Sequence, residues 1–123
     1  AVTGVQTCAL PIYLTALLES GLRSFESAGI ARTDAARMIE PLVRETLDNV
    51  FALGPARALT GPIARGDLEV VQRQLSALAA ADPRLAAVYR SLGVIAADIA
   101  GAGHRFDATA LAAMNALLQD RRG

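Results

Sequence analysis

The 123-residue sequence holds little from which to build a disulfide, a metal site or a sheet. One Cys allows no internal disulfide, and with a single His it cannot complete a Cys/His zinc site, so the composition predicts an intracellular, metal-free chain. Trp is absent and aromatic residues make up only 4%, while 53% of the chain is hydrophobic. That fraction comes from Ala and Leu, which favour helix, rather than from the Val/Ile/aromatic mixture of sheets. Nor does either sign of charge dominate, because 12 Lys+Arg meet 12 Asp+Glu. A neutral balance argues against nucleic acid and against an anionic membrane as partners. Lys is missing altogether, and with the Ala excess this reads as the mark of GC-rich coding rather than of function. No repeat, linker or strand-like alternation interrupts the chain, and its length suits one domain. The expectation is a cytoplasmic all-α bundle of five to six helices.

The first residues differ from the rest. Residues 1–12 carry no charge and no helical period, and Gly4 and Pro11 act as breakers. No basic residue precedes Arg23, and the apolar run Cys8–Leu18 is interrupted by Pro11 and Thr15, so neither a secretory signal nor a membrane span is indicated. The string from Val2 to Ile12 resembles translated sequencing-adapter read-through at a broken reading frame. Residues 1–12 are therefore read as a non-native leader, irregular or peripherally attached, and 13–123 as the domain proper.

From Leu14 the helical period is plain. Leu14, Leu17, Leu18, Gly21, Leu22 and Phe25 share one face, and Gly29 closes that helix. Thr33 or Asp34 is placed to cap the next segment, whose stripe runs from Ile39 to Val50 and which Pro41 should kink or split before Gly54-Pro55 ends it. Asp67, Asp82-Pro83 and Asp107 each read as the start of a helix. The last two of these helices are separated by Gly101 and Gly103, read as the stop of the first.

Most candidate chemistry along the chain has a plainer structural reading. Gly101-Ala102-Gly103 follows a helix instead of a strand and lacks the third Gly of a dinucleotide fingerprint. His104 reads as a solvated loop residue, Cys8 lies in the leader, and Arg65-Gly66-Asp67 reads as a capped helix start rather than an adhesion tripeptide. Glu40, Glu45 and Asp48 alternate with Arg37 and Arg44, as on a solvated ion-pair face. The stretch Thr60–Asp67 is different, since it adds a hydroxyl and a guanidinium to two glycines beside a helix N-terminus. These types suit an anion site. They equally suit a helix connection in which Thr60 and Asp67 satisfy backbone groups, Gly61 and Gly66 take special dihedrals, and Arg65 is merely exposed.

The run Leu53-Gly54-Pro55-Ala56-Arg57-Ala58-Leu59-Thr60-Gly61-Pro62-Ile63-Ala64-Arg65-Gly66-Asp67 resembles the signature of domain of unknown function 2520. This is the helical C-terminal domain of a family of Rossmann-associated oxidoreductases, and the segments 13–30 and 35–50 look like that family too. The family is similar to pyrroline-5-carboxylate reductases and 6-phosphogluconate-dehydrogenase-like proteins, in which the helical domain dimerises and contacts substrate. The resemblance implies a homodimer, an N-terminal Rossmann domain missing from this chain, and NADP or NAD bound by the parent rather than here. It further implies that Thr60 offers a hydroxyl, Gly61 close backbone approach and Arg65 an anion contact, with Asn49 a weaker contributor and Asp67 capping the helix behind. Two departures stand out. Leu10-Pro11-Ile12 replaces a polar Ala-Ser-Asn-like stretch, and Gln74 stands where relatives carry His, so no acid–base role transfers there. On this reading the chain is a truncated dimerisation and substrate domain, not itself an enzyme, that faces a small anionic substrate. The competing reading is a free-standing helical interaction module.

Overall fold

The computed structural model describes residues 2–120 and 122. Among them seven helices occur and no strand: α1 (Val2–Ser27), α2 (Arg32–Leu53), α3 (Pro55–Ala58), α4 (Pro62–Arg65), α5 (Leu68–Ala81), α6 (Pro83–Ala102) and α7 (Ala108–Gln119). The all-α expectation holds, with the two additional elements being single turns. Contacts divide the chain into two units, one ending at Leu42 and the other beginning at Val43. The division falls one residue after Pro41, yet α2 runs through that proline as one helix, so the expected split of the helix does not occur.

The irregular alternative for residues 2–12 does not hold. They are helical, as the first part of α1, with Pro11 inside the helix. Hydrophobic period reports which face of a helix is buried, and Val5, Leu10, Ile12 and Tyr13 are all largely exposed. A helix exposed at such positions need show no stripe, so its absence there was no argument against helix.

In the first unit α1 ends as anticipated. Gly29 takes φ +86° while the Ile30 N–H donates to Phe25 O at 3.1 Å and the Gly29 N–H to Glu26 O at 3.0 Å, a Schellman closure that glycine enters without Cβ strain. Helix α2 begins at Arg32, so Thr33 and Asp34 lie within its first turn instead of capping it. Arg32 ties the helices together, pairing with Glu19 and, at 2.9 Å, with Glu26, while Arg23 meets Glu19 at 3.0 Å. Hydrogen bonds from Arg32 and then Arg23 hold the Glu19 carboxyl below its ordinary range. Ala35 is fully buried.

The second unit holds the core. Val71 and Leu75 from α5, Ala97 from α6, and Met114 and Leu118 from α7 form one buried cluster, against which Ile63, Tyr89, Val94, Leu111 and Leu117 pack. Each of these three helices starts on a side-chain cap: Asp67 accepts from Val70 N, Asp82 from Arg84 N, and Asp107 from Ala110 N. One carboxylate at each start satisfies an otherwise unpaired N–H and complements the helix dipole. At the far end of α7, Arg90 donates to Leu117 O at 3.4 Å and to Asp120 O, covering carbonyls that the helix leaves open.

Small residues let the helices approach closely. On α6 a methyl group at Gly93 would lie 2.8 Å from Leu118 Cδ2, and one at Gly101 would lie 2.8 Å from Leu111 Cδ2. Gly101 is thus a packing residue inside α6, and Gly103 has an ordinary φ of −80°. The helix does stop at Gly103, its C-cap, as anticipated, and the left-handed residue that follows is His104, at φ +55°, with Arg105 N donating to Ala100 O and His104 N to Gly101 O. A non-glycine in this left-handed position is strained. His104→Gly is therefore expected to raise the unfolding free energy by about 1 kcal/mol, measured as a shift of the urea midpoint at unchanged slope. An unchanged midpoint would show that His104 makes a compensating contact.

Helix α6, with mean hydropathy 1.4, has the length and composition to cross a membrane. Its Leu85, Ala86, Gly93, Ala97 and Ala100 are buried within the second unit.

Candidate functional site

The stretch Gly54–Asp67 is built by a device used twice. Gly54 at φ +81° precedes Pro55, and Gly61 at φ +96° precedes Pro62. In each case glycine supplies a dihedral that side chains resist, and proline, which has no N–H to leave unpaired at a helix start, begins the turn. Helix α3 closes through Ala58 N to Gly54 O at 3.0 Å and Leu59 N to Pro55 O at 2.9 Å. Helix α4 closes on Gly66 in the left-handed region, with Asp67 N donating to Pro62 O at 2.9 Å. Gly54–Asp67 is thus two single helical turns joined by Leu59, Thr60 and Gly61.

These turns are anchored from below. Ala64 is buried and Ile63 packs against the core cluster, which fixes α4 on α5 and α6. With those two side chains inward, Arg65 is exposed, and no hydrogen bond or ion pair engages it among the described residues. Thr60 is likewise exposed and unengaged, so it does not satisfy a backbone group, and nothing lies within 4 Å of where a Gly61 side chain would be. Asp67 is committed to capping α5, at 3.2 Å from Val70 N. The glycines and Asp67 are therefore accounted for by the fold, whereas Thr60 and Arg65 are not. Asn49 lies exposed on α2.

Neither of two concavities includes Thr60, Arg65 or Asn49 in its lining. A cavity of about 710 Å³ is lined by Ala86, Arg90, Ser91, Val94, Leu118 and Gln119 among others, and a recess of about 300 Å³ by Ala36, Arg37, Glu40 and Pro41. No cluster of His, Cys, Asp and Glu suited to a metal occurs among the described residues. Cys8 and His104 are exposed, as are Glu40, Glu45 and Asp48. Gln74 is occupied structurally, its Oε1 accepting from the Tyr89 hydroxyl at 2.6 Å, and partial burial pushes that phenol's pKa up.

One tie to this stretch is invisible to sequence reasoning. The Arg105 guanidinium donates from Nη1 to Leu59 O and from Nη2 to Ala56 O, and so terminates α3 from the α6–α7 corner. Next to it, the Phe106 ring packs on Gly66, where a methyl group would sit 3.7 Å from Phe106 Cδ1. These partners are separated by more than 40 positions in the chain, and no local motif marks such a tie.

Comparison with curated proteins and with solved structures yields no match. The family model for a domain of unknown function, DUF2520, matches residues 7–95, which takes in α2 to α5 and most of α1 and α6. The signature between Leu53 and Asp67 lies wholly inside that match, and the chain belongs to the DUF2520 family.

Proposed function

We propose that this chain is the helical dimerisation and substrate-facing domain of an NAD(P)-dependent oxidoreductase with a cytoplasmic location, working against a Rossmann domain of the same protein. One observation carries the site assignment. Thr60 and Arg65 are exposed, unengaged and set on either side of Gly61-Pro62, where the backbone is open. A guanidinium presents a planar fork to a carboxylate or phosphate, and the hydroxyl and open backbone beside it add orientation. Asn49 is a further candidate contact. The chain's own residues bind and orient substrate, while hydride chemistry belongs to a nicotinamide held by the other domain.

The dimerisation part rests on a different feature. Tyr13, Leu14 and Leu17 of α1 and Leu92 and Ile95 of α6 expose apolar surface, and apolar surface in excess favours association with a second copy. The same feature would serve a free-standing interaction module, which differs in giving Thr60 and Arg65 no ligand.

The deciding experiment uses the domain joined to its Rossmann partner. Arg65→Ala should weaken binding of a small anionic substrate by about 1.5–3 kcal/mol, the value of a hydrogen bond to a charged group, with nicotinamide affinity and melting temperature unchanged. Substrate binding that survives Arg65→Ala intact would favour the interaction module.

A further inference from the structure

We propose that Arg105 is the positioning residue of the Thr60–Arg65 site, holding it from the α6–α7 corner. The proposal rests on the reading of Thr60 and Arg65 as a substrate-facing pair. Three observations converge on it. First, α3 is a single turn, and one turn fixes several dihedrals for very few hydrogen bonds, so it does not persist alone. Second, the Arg105 fork spans Ala56 O and Leu59 O, bracketing the end of that turn one residue before Thr60. A lysine, with one compact ammonium, cannot reach both carbonyls in the same planar geometry. Third, the corner that carries Arg105 is itself set by a strained residue, His104 at φ +55°, which places Arg105 N on Ala100 O at 3.1 Å.

Phe106 completes the arrangement from the other side, packing on Gly66 where α4 closes. Arg105 thus fixes the segment before Gly61 and Phe106 the segment after Arg65. The candidate site lies between two supports from one corner of the fold. Ordered backbone here is what keeps a hydroxyl and a guanidinium at a fixed separation, the condition for binding one anion with both.

The test needs no ligand, so its failure is separate from failure of the functional reading, which Arg65→Ala probes. Backbone order parameters are measured by NMR on the intact chain for wild type, Arg105→Lys and Arg105→Met. In wild type, residues 56–61 should match the rigid value of about 0.85 found in helices, and in Arg105→Met they should fall below about 0.6. Arg105→Lys should fall between, and Leu75 and Met114 should remain rigid in all three. The proposal is overturned if residues 56–61 keep their order in Arg105→Met, or if order falls equally in α5 and α7, which would make Arg105 a general stabiliser. Should Arg105→Met fail to fold, the contrast between wild type and Arg105→Lys decides in the same way.

Discussion

Leu75→Ala is expected to lower the unfolding free energy by about 3 kcal/mol, within the roughly 2–5 kcal/mol range for emptying a buried leucine site. Leu75 is 1% exposed and sits among Val71, Ala97, Met114 and Leu118, which come from all three long helices of the second unit. Those neighbours are held by caps at Asp67, Asp82 and Asp107 and cannot collapse freely into the space, so both the lost transfer energy and the cavity cost apply. A domain of this size has a total stability of about 5–12 kcal/mol. The loss is therefore a large share of the whole and should appear as a melting point lower by about 12–24 °C. Phe51→Ala is the control. Phe51 is 86% exposed, and its truncation should change stability by about 0.5 kcal/mol or less. Equal effects from the two substitutions in thermal melts of dilute protein would mean that the core lies elsewhere.

Gly93→Leu should cost about 3 kcal/mol for the opposite reason, excess volume. Already at Cβ the new side chain would be 2.8 Å from Leu118 Cδ2 and 3.3 Å from Ile63 Cδ1, so both side chains, Leu118 among the core cluster at 1% exposed, would have to shift. Gly93→Ala separates two effects. Replacing a helix-interior glycine gains about 1 kcal/mol in propensity, while overpacking costs about 1–3 kcal/mol, so the net should be mildly destabilising. Gly4→Ala tests the sign. Gly4 is also helical, nothing lies within 4 Å of its missing side chain, and only the propensity gain remains. If Gly93→Ala stabilised the chain as Gly4→Ala should, the close approach of α7 to α6 would be wrong. Displacing Ile63 would also shift α4, so a repacked Gly93 variant should disturb Arg65 without touching it.

What could be read from the sequence was what is encoded locally. The capping aspartates at 67, 82 and 107 announce themselves because a cap and its N–H lie two or three residues apart. Gly29 closed α1 as expected for the same reason. The misreadings share a different cause. Residues 2–12 were judged by a periodicity that measures burial, and Val5, Leu10 and Ile12 are largely exposed. Gly101 looked like part of the stop and is instead a contact point for Leu111, while Gly103 is the cap and the left-handed position after it falls on His104 rather than on a glycine. At the candidate site the glycines, prolines and Asp67 were legible as chain-shaping residues. The idleness of Thr60 and the reach of Arg105 were not, because both depend on which distant groups the fold brings near.

The three guanidinium ties, Arg32 across the α1–α2 turn, Arg90 at the end of α7 and Arg105 at the end of α3, give the absence of lysine a chemical consequence. Amine-directed acylating reagents find no side chain to modify. Vicinal dicarbonyls, which condense with guanidinium groups, find their targets at the cross-links of the tertiary structure, and an isoelectric exchange of every arginine for lysine would keep the net charge while removing the forks that make those ties.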